Sequence, residues 1–281
     1  MTLGHQVVGV IESINYAQSI TPSPIDIKFQ IGQRVGIPWL YSSCGLCDYC
    51  LREESNLCRS AIFTGFNVDG GFSEYMAAKT DFLIPIPDSI SDEQAAPLLC
   101  AGIVGYRSLL KADIQPGESV GLFGFGASAH ICIQLLNYWG CNTFVFTRNR
   151  QHQAHAELLG AKWVGDPNEK PSKELDKVVI FAPSGEILIS ALSNLRQGGI
   201  TAINAIHMSD IPGFPYSLIK GERTIKTVAN ATYQNGIDFI NLAEKMKINS
   251  SIKIYPFSDV NMALQDIKFS KINGEAVLKV C

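Results

Sequence analysis

The chain has 281 residues, 46% of them hydrophobic and 17% charged, with a formal net charge of −3 at pH 7. That size and balance fit a folded chain with two domains or one large core, and they exclude a disordered segment. The slight acidity gives no footprint for nucleic acid or for an anionic membrane surface, and no apolar run approaches the ~20 residues of a membrane span. With no charged-then-apolar leader at the start, the expected location is cytoplasmic.

The opening, "MTLGHQVVGV", sets His5 against an apolar run that reads as a strand. Further short β segments follow in "QRVGIPW", "GGFSEYMAA" and "DFLIPIP", punctuated by glycine, proline and serine as in an all-β module. Between them lies "SCGLCDYCLREESNLC", which carries Cys44, Cys47, Cys50 and Cys58 at spacing C-x2-C-x2-C-x7-C. Four thiolates can surround one zinc at ~2.3 Å when short loops turn each sulfur inward, and such a closed site is structural. An iron–sulfur cluster or four free thiols are the alternatives that spacing leaves open. Asp48, Glu53 and Glu54 in the same lobe argue against a nucleic-acid ribbon.

The pattern turns helical at "SDEQAAPLLCAGIVGYRSLLKA", where Ser91 is the expected N-cap with Gln94 three residues on. From Gly117, apolar strands ("SVGLFGF", "NTFVFTR", "KVVIFAP", "GGITAINA", "RTIKTVAN") alternate with helices ("SAHICIQLLNYWG", "QHQAHAELLG", "GEILISALSNLR"). This alternation predicts an α/β fold, a doubly wound parallel sheet covered on both faces. Two more helical patterns, "GIDFINLAEKMK" and "VNMALQDIKFSK", precede a closing strand, "EAVLKV". The expected division is a β-rich domain at 1–103, a dinucleotide-binding domain at 104–231, and a return to the first domain at 232–281.

"SVGLFGFGASAH" places Gly124, Gly126 and Ala129 between a strand and a helix, in the G-x-G-x-x-A arrangement. The first glycine allows a tight turn, the second lets backbone approach a pyrophosphate, and the small third residue lets helix and strand pack closely. The helix N-terminus then offers unpaired N–H groups to the phosphates. At the end of the second strand, NAD-binding folds place a carboxylate for the ribose 2′-hydroxyl. This chain has Thr147, Arg148, Asn149 and Arg150 there instead. The hydroxyl of Thr147 and the guanidiniums of Arg148 and Arg150 suit a 2′-phosphate, so NADP is expected ahead of NAD, with a merely solvated surface as the alternative.

Taken together, "GHQVVGVIE", "GQRVGIPW", "CGLCDYC", "DGGFSEYM", "AAPLLCAGIVGYRSL" and "GFGASAH" resemble, in order and placement, the zinc-containing medium-chain alcohol dehydrogenases. The resemblance implies a GroES-like catalytic domain beside a Rossmann domain, and reversible hydride transfer between a small alcohol and an aldehyde or ketone with a nicotinamide cofactor, which the residues after the second strand make NADP. It implies that His5 and Cys100 are catalytic and ligate a catalytic zinc, that Cys44, Cys47, Cys50 and Cys58 ligate a structural zinc, and that the chain forms homo-oligomers. Trp39, by family position, would shape the substrate pocket, with a core aromatic as the equal alternative. Cys132, Cys141 and Cys281 have no metal spacing and read as incidental thiols.

The chain departs from the family pattern in three places. Relatives carry a β-rich segment before the "GH" motif, with another zinc cysteine and a proton-relaying hydroxyl; this chain starts after that segment, so the GroES-like domain is expected to be N-terminally truncated. Gln6 stands where many relatives have glutamate, and Tyr233 lies where they often have an arginine. The alternative function is therefore a catalytically silent protein that keeps NADP and the structural zinc. His130, His152, His155 and His207 are not expected to ligate a metal.

Overall fold

The computed structural model describes residues 1–15 and 29–280. They divide into two units, one of Met1–Ile103 with Asn230–Cys281 and the other of Val104–Ala229.

In the first unit, β-branched residues place β1 (Val7–Val10) antiparallel to β2 (Arg34–Ile37), with Val7 opposite Ile37. The cysteine lobe is inserted between β3 (Leu40–Ser42) and β4 (Ile62–Phe63), which pair antiparallel, and holds the one-turn helix α1 (Asp48–Leu51). A short β5 (Ile84–Pro85) completes the order β1-β2-β5, over a core of Ile11, Phe29, Val35, Ile37 and Leu83.

The stretch "GGFSEYMAA", expected as a strand, is irregular. The N–H groups of Gly70, Gly71 and Phe72 donate in succession to the carbonyls of Thr2, Gly4 and Leu3. A strand sends alternate residues to opposite sides, so three consecutive donors aimed at one segment define a clasp and not a ladder.

The helical stretch after Ser91 is broken. Ser91 caps α2 (Asp92–Ala95) by accepting from the Gln94 N–H at 3.3 Å. Pro97, which has no N–H to give a continuing helix, lies in the 3-10 turn Ala96–Leu99. Cys100 then takes a non-helical conformation (φ −134°, ψ −68°), and α3 (Ala101–Lys111) begins beyond it.

The second unit has the alternation expected from the sequence: β6 (Ser119–Phe123), α4 (Ala127–Tyr138), β7 (Asn142–Phe146), α5 (Arg150–Leu158), β8 (Trp163–Gly165), β9 (Leu175–Ile180), α6 (Glu186–Asn194), β10 (Leu195–Ile203) and β11 (Thr224–Thr227). All pairings are parallel, in the order β11-β10-β9-β6-β7-β8. The order reverses between β6 and β9, the switch point at which doubly wound sheets open a crevice for ligands. Phe123 and Phe146 stack at 4.0 Å within a core that includes Val178, Ile180, Leu188 and Leu192.

The chain then returns to the first unit with α7 (Tyr233–Met246), β12 (Ile252–Pro256), α8 (Val260–Lys268) and β13 (Glu275–Lys279), which runs parallel to β12. Thr232 and Asn235 form a reciprocal capping box at the start of α7. The Tyr233 hydroxyl donates to the Leu83 carbonyl at 2.7 Å, and Gln94 exchanges hydrogen bonds with the backbone of Ser250.

His130, on α4, is fully buried, and burial with the neighbouring His155 holds its pKa down at about 4 against an ordinary 6.5. The unfolded chain takes up a proton below pH 6.5 while the folded chain resists until about pH 4, so stability falls as pH drops through that window. Between pH 7 and pH 5 this group should cost the second unit about 2 kcal/mol. Thermal melts at the two pH values should show the loss, and His130→Gln should shrink it.

Candidate metal centres and dinucleotide turn

The four lobe cysteines converge. Their sulfurs all lie within 4.8 Å of one another, with Cys44–Cys50 at 3.9 Å, Cys47–Cys50 at 3.6 Å and Cys44–Cys58 at 3.6 Å. A disulfide needs about 2.05 Å, whereas the edge of a tetrahedron with 2.3 Å zinc–sulfur bonds is about 3.8 Å. The set fits zinc. Gly45, at φ +72°, makes the bend between the first two cysteines. The backbone N–H groups of Leu46 and Cys47 hold the Cys44 thiol down at about 6, while burial pushes Cys58 up to about 11. The lobe is thus poised for a cation to ionise its deepest sulfur.

His5 is placed by the clasp described above. Gly70 N–H to Thr2 O is 2.8 Å, Phe72 N–H to Leu3 O is 2.8 Å, Gly71 N–H to Gly4 O is 3.0 Å, and the Thr2 N–H reaches Asp69 Oδ1 at 2.6 Å. Glycine is required for this approach. A Cβ on Gly70 would lie 2.0 Å from the Gly4 carbonyl oxygen, and one on Gly4, itself at φ +97°, would lie 2.5 Å from the Phe72 ring.

Held in this way, His5 meets the Trp39 ring edge-on at 5.0 Å. Trp39 stacks on Phe63 at 5.0 Å, lies 6.0 Å from Phe66, and donates Nε1–H to Asn230 Oδ1 at 3.0 Å. Burial lowers the His5 pKa, which keeps a neutral imidazole with a free lone pair.

Cys100 sits at the break before α3, and burial together with the nearby Glu275 pushes its thiol up to about 12. Gln6 reaches the region of Cys100: its Oε1 accepts from the Ala101 N–H at 3.4 Å. Burial pushes the Glu275 carboxyl up to about 7, with the Gln6 side chain pulling the other way. Sequence reading missed Glu275; the only trace of it was a lone acid heading the apolar strand "EAVLKV".

Among the described residues, the lobe is the group of three or more potential ligands whose donor atoms converge. His5 and Cys100 add one imidazole nitrogen and one sulfur, a donor pair that suits zinc. His130 and His155 stack at 5.9 Å within the second unit, and neither they nor His152 and His207 join a ligand group among the described residues. Cys132 and Cys141 are buried and free, and Cys281 lies outside the described residues. Tyr233 is spent on the Leu83 carbonyl.

In the second unit, Gly124 follows β6 with φ +93°, where a Cβ would lie 2.9 Å from the Ala182 nitrogen just past β9. Gly126 caps α4, and a Cβ there would meet nothing within 4 Å, so the space in front of the helix N-terminus is open to a phosphate. Ala129 is fully buried in the helix–sheet contact. At the end of β7, Thr147 is buried, with its N–H on Gly165 O, whereas Arg148 is exposed. Asn149 is occupied as the cap of α5, accepting from Gln151 and His152, and Arg150 is exposed with Nη1 on Gln153 Oε1 at 3.0 Å.

Residues 1–88 match the alcohol dehydrogenase GroES-like domain. Over 278 residues the chain is 38% identical to a probable alcohol dehydrogenase of Mycobacterium tuberculosis, an alignment covering 99% of this chain and 80% of that protein. The chain belongs to the zinc-containing medium-chain alcohol dehydrogenase family. As a member it is an oxidoreductase, with the α/β architecture of that family, a Rossmann sheet plus a GroES-like domain. It is also 32% identical to an alcohol dehydrogenase of Geobacillus stearothermophilus, covering 99% of this chain and 82% of that one. The crystal structure of the protein called CAD from Helicobacter pylori, complexed with NADP(H), superposes with a TM-score of 0.87 at 22% identity, over 99% of this chain and 81% of that one. No helix among the described residues is long and apolar enough to cross a membrane.

Two outcomes follow from this geometry. Cys44→Ser should abolish metal binding in the lobe and lower the thermal midpoint by several degrees, as measured by metal analysis and calorimetry. Gly70→Ala should cost about 1–3 kcal/mol by forcing the clasp apart, and should leave lobe metal unchanged.

Proposed function

We propose that the protein is a zinc-dependent, NADP-linked alcohol dehydrogenase that interconverts a small alcohol with its aldehyde or ketone. The observation that carries this reading is 38% identity over 278 residues to a probable alcohol dehydrogenase. Cys44, Cys47, Cys50 and Cys58 would hold the structural zinc, and His5 and Cys100 the catalytic one.

When bound, zinc supplies a Lewis acid for the alcohol oxygen and NADP supplies the hydride acceptor. The chain's own residues position these groups. His5 offers a neutral nitrogen, and Cys100 offers a sulfur that ionises beside a cation. Trp39 and Phe63 form an apolar wall at His5 that excludes water and favours an apolar substituent on the substrate.

In the second unit, Gly124 turns the chain, Gly126 leaves room for a pyrophosphate, and the α4 N-terminus binds it. The Thr147 hydroxyl with the Arg148 and Arg150 guanidiniums would take the 2′-phosphate, as charge-assisted hydrogen bonds. The solved relative that carries NADP(H) supports the cofactor class.

A second reading, a protein that binds zinc and NADP without turnover, also has one observation behind it. Among the described residues the second candidate site offers two donors, His5 and Cys100, whereas catalytic zinc ordinarily has three from protein. Metal analysis of the purified chain with NADPH turnover on a small aldehyde separates the readings. Two zincs per chain with turnover are expected; one zinc, bound cofactor and no turnover would overturn the enzyme reading. Arg148→Ala should lower the NADPH-over-NADH affinity ratio about tenfold, and an unchanged ratio would overturn the NADP assignment.

A further inference from the structure

The end of β7 is tied down on several sides. The Phe146 carbonyl accepts from the Gly124 N–H at 2.9 Å, which joins the strand to the dinucleotide turn, and the Thr147 N–H donates to the Gly165 carbonyl at 2.9 Å. The Thr147 carbonyl is taken by a side chain: Gln153 Nε2 donates to it at 2.7 Å. Gln153 is half-buried on α5, where its own N–H donates to the Asn149 carbonyl at 2.9 Å. Side chains on a helix lean towards its N-terminus, so a residue one turn in can reach back to the strand before it.

The same amide also holds Arg150. Gln153 Oε1 accepts from Arg150 Nη1 at 3.0 Å, three residues earlier and so on the same face of α5. One amide can make both bonds, because it carries a donor and an acceptor. Arg150 is exposed, and a long exposed side chain ordinarily ranges over many rotamers. Gln153 restrains it with a neutral partner. Among the described residues neither Arg148 nor Arg150 is in an ion pair. The contact with Gln153 uses one of the several N–H groups of a guanidinium, and leaves its charge and its remaining donors for a phosphate.

We propose that Gln153 is a positioning residue for the 2′-phosphate of NADP, acting through Arg150. It ties the guanidinium to the Thr147 carbonyl, one residue from the Phe146 carbonyl that holds the Gly124 turn. The sites for the two phosphate groups of the cofactor are thereby set in one frame. The proposal rests on the NADP reading of Thr147, Arg148 and Arg150. Ordering a rotamer-rich side chain before the ligand arrives removes a cost that binding would otherwise carry, worth about 2–10-fold in affinity. That gain falls on NADP alone, because NAD offers a hydroxyl at the same position.

The test is fluorescence titration of the full chain, as purified with its zinc, against NADPH and against NADH. Gln153→Met, close in size and without hydrogen bonds to give, should lower the NADPH-over-NADH affinity ratio about 2–10-fold, by weakening NADPH. Gln153→Glu, which sets an anion against Arg150, should lower the ratio at least as far. In an Arg150→Ala background, Gln153→Met should lower the ratio no further, since no guanidinium is left to position.

An unchanged ratio in Gln153→Met and Gln153→Glu would overturn the role of Gln153. So would an equal loss for NADPH and NADH, which is what a purely structural part at the β7–α5 corner would give, or the same loss of ratio with Arg150 removed. In each of these cases the NADP reading stands if Arg150→Ala alone lowers the ratio. A wild type that binds NADPH no better than NADH, with a ratio indifferent to Arg148→Ala and to Arg150→Ala, would overturn that reading and the proposal together.

Discussion

The candidate metal chemistry of the first unit hangs on a backbone contact, the clasp between Thr2–Gly4 and Asp69–Phe72. Three consecutive N–H groups, on Gly70, Gly71 and Phe72, satisfy three carbonyls of one short segment. Two chains can approach this closely only where side chains are missing, and a Cβ on Gly70 or Gly4 would collide with the opposite partner. The clasp sets the position of the residues that follow it. His5 then meets the Trp39 edge, and Gln6 lies against Ala101.

The second constraint is the interruption of the helix after Ser91. Pro97 turns the chain into a 3-10 segment, and Cys100 falls at the joint where neither helix claims its backbone. A cysteine inside a continuous helix would be confined to one helical face. At a joint, the local backbone can be fitted to the needs of its thiol. The lobe uses a related device, since Gly45 bends the chain so that Cys44 and Cys47 share one sulfur cluster. In both places burial pushes the thiol pKa up and disfavours a bare thiolate, and a bound cation would offset that cost.

Much of the fold was legible in the sequence because its signals are local. The parallel sheet of the second unit follows from apolar strands alternating with helices, and the G-x-G-x-x-A turn sits at the switch point between β6 and β9. The Cys44, Cys47, Cys50 and Cys58 spacing led directly to a convergent cluster. The clasp was not legible: "DGGFSEYM" has the composition of a strand, and its partner lies some 67 residues away. Glu275 was missed for a similar reason. Nothing in "NGEAVLKV" says that burial pushes this carboxyl up to about 7. At the end of β7, sequence alone could not separate Asn149, which caps a helix, from the exposed Arg148 beside it.

At the centre of the proposed function are two metal ions in the first unit, held by different partners. Anomalous X-ray scattering recorded on either side of the zinc absorption edge, from crystals of the purified chain, addresses them directly. The account predicts two peaks, one enclosed by Cys44, Cys47, Cys50 and Cys58, the other bonded to His5 and Cys100. A single peak, confined to the four cysteines in a chain saturated with zinc, would contradict it.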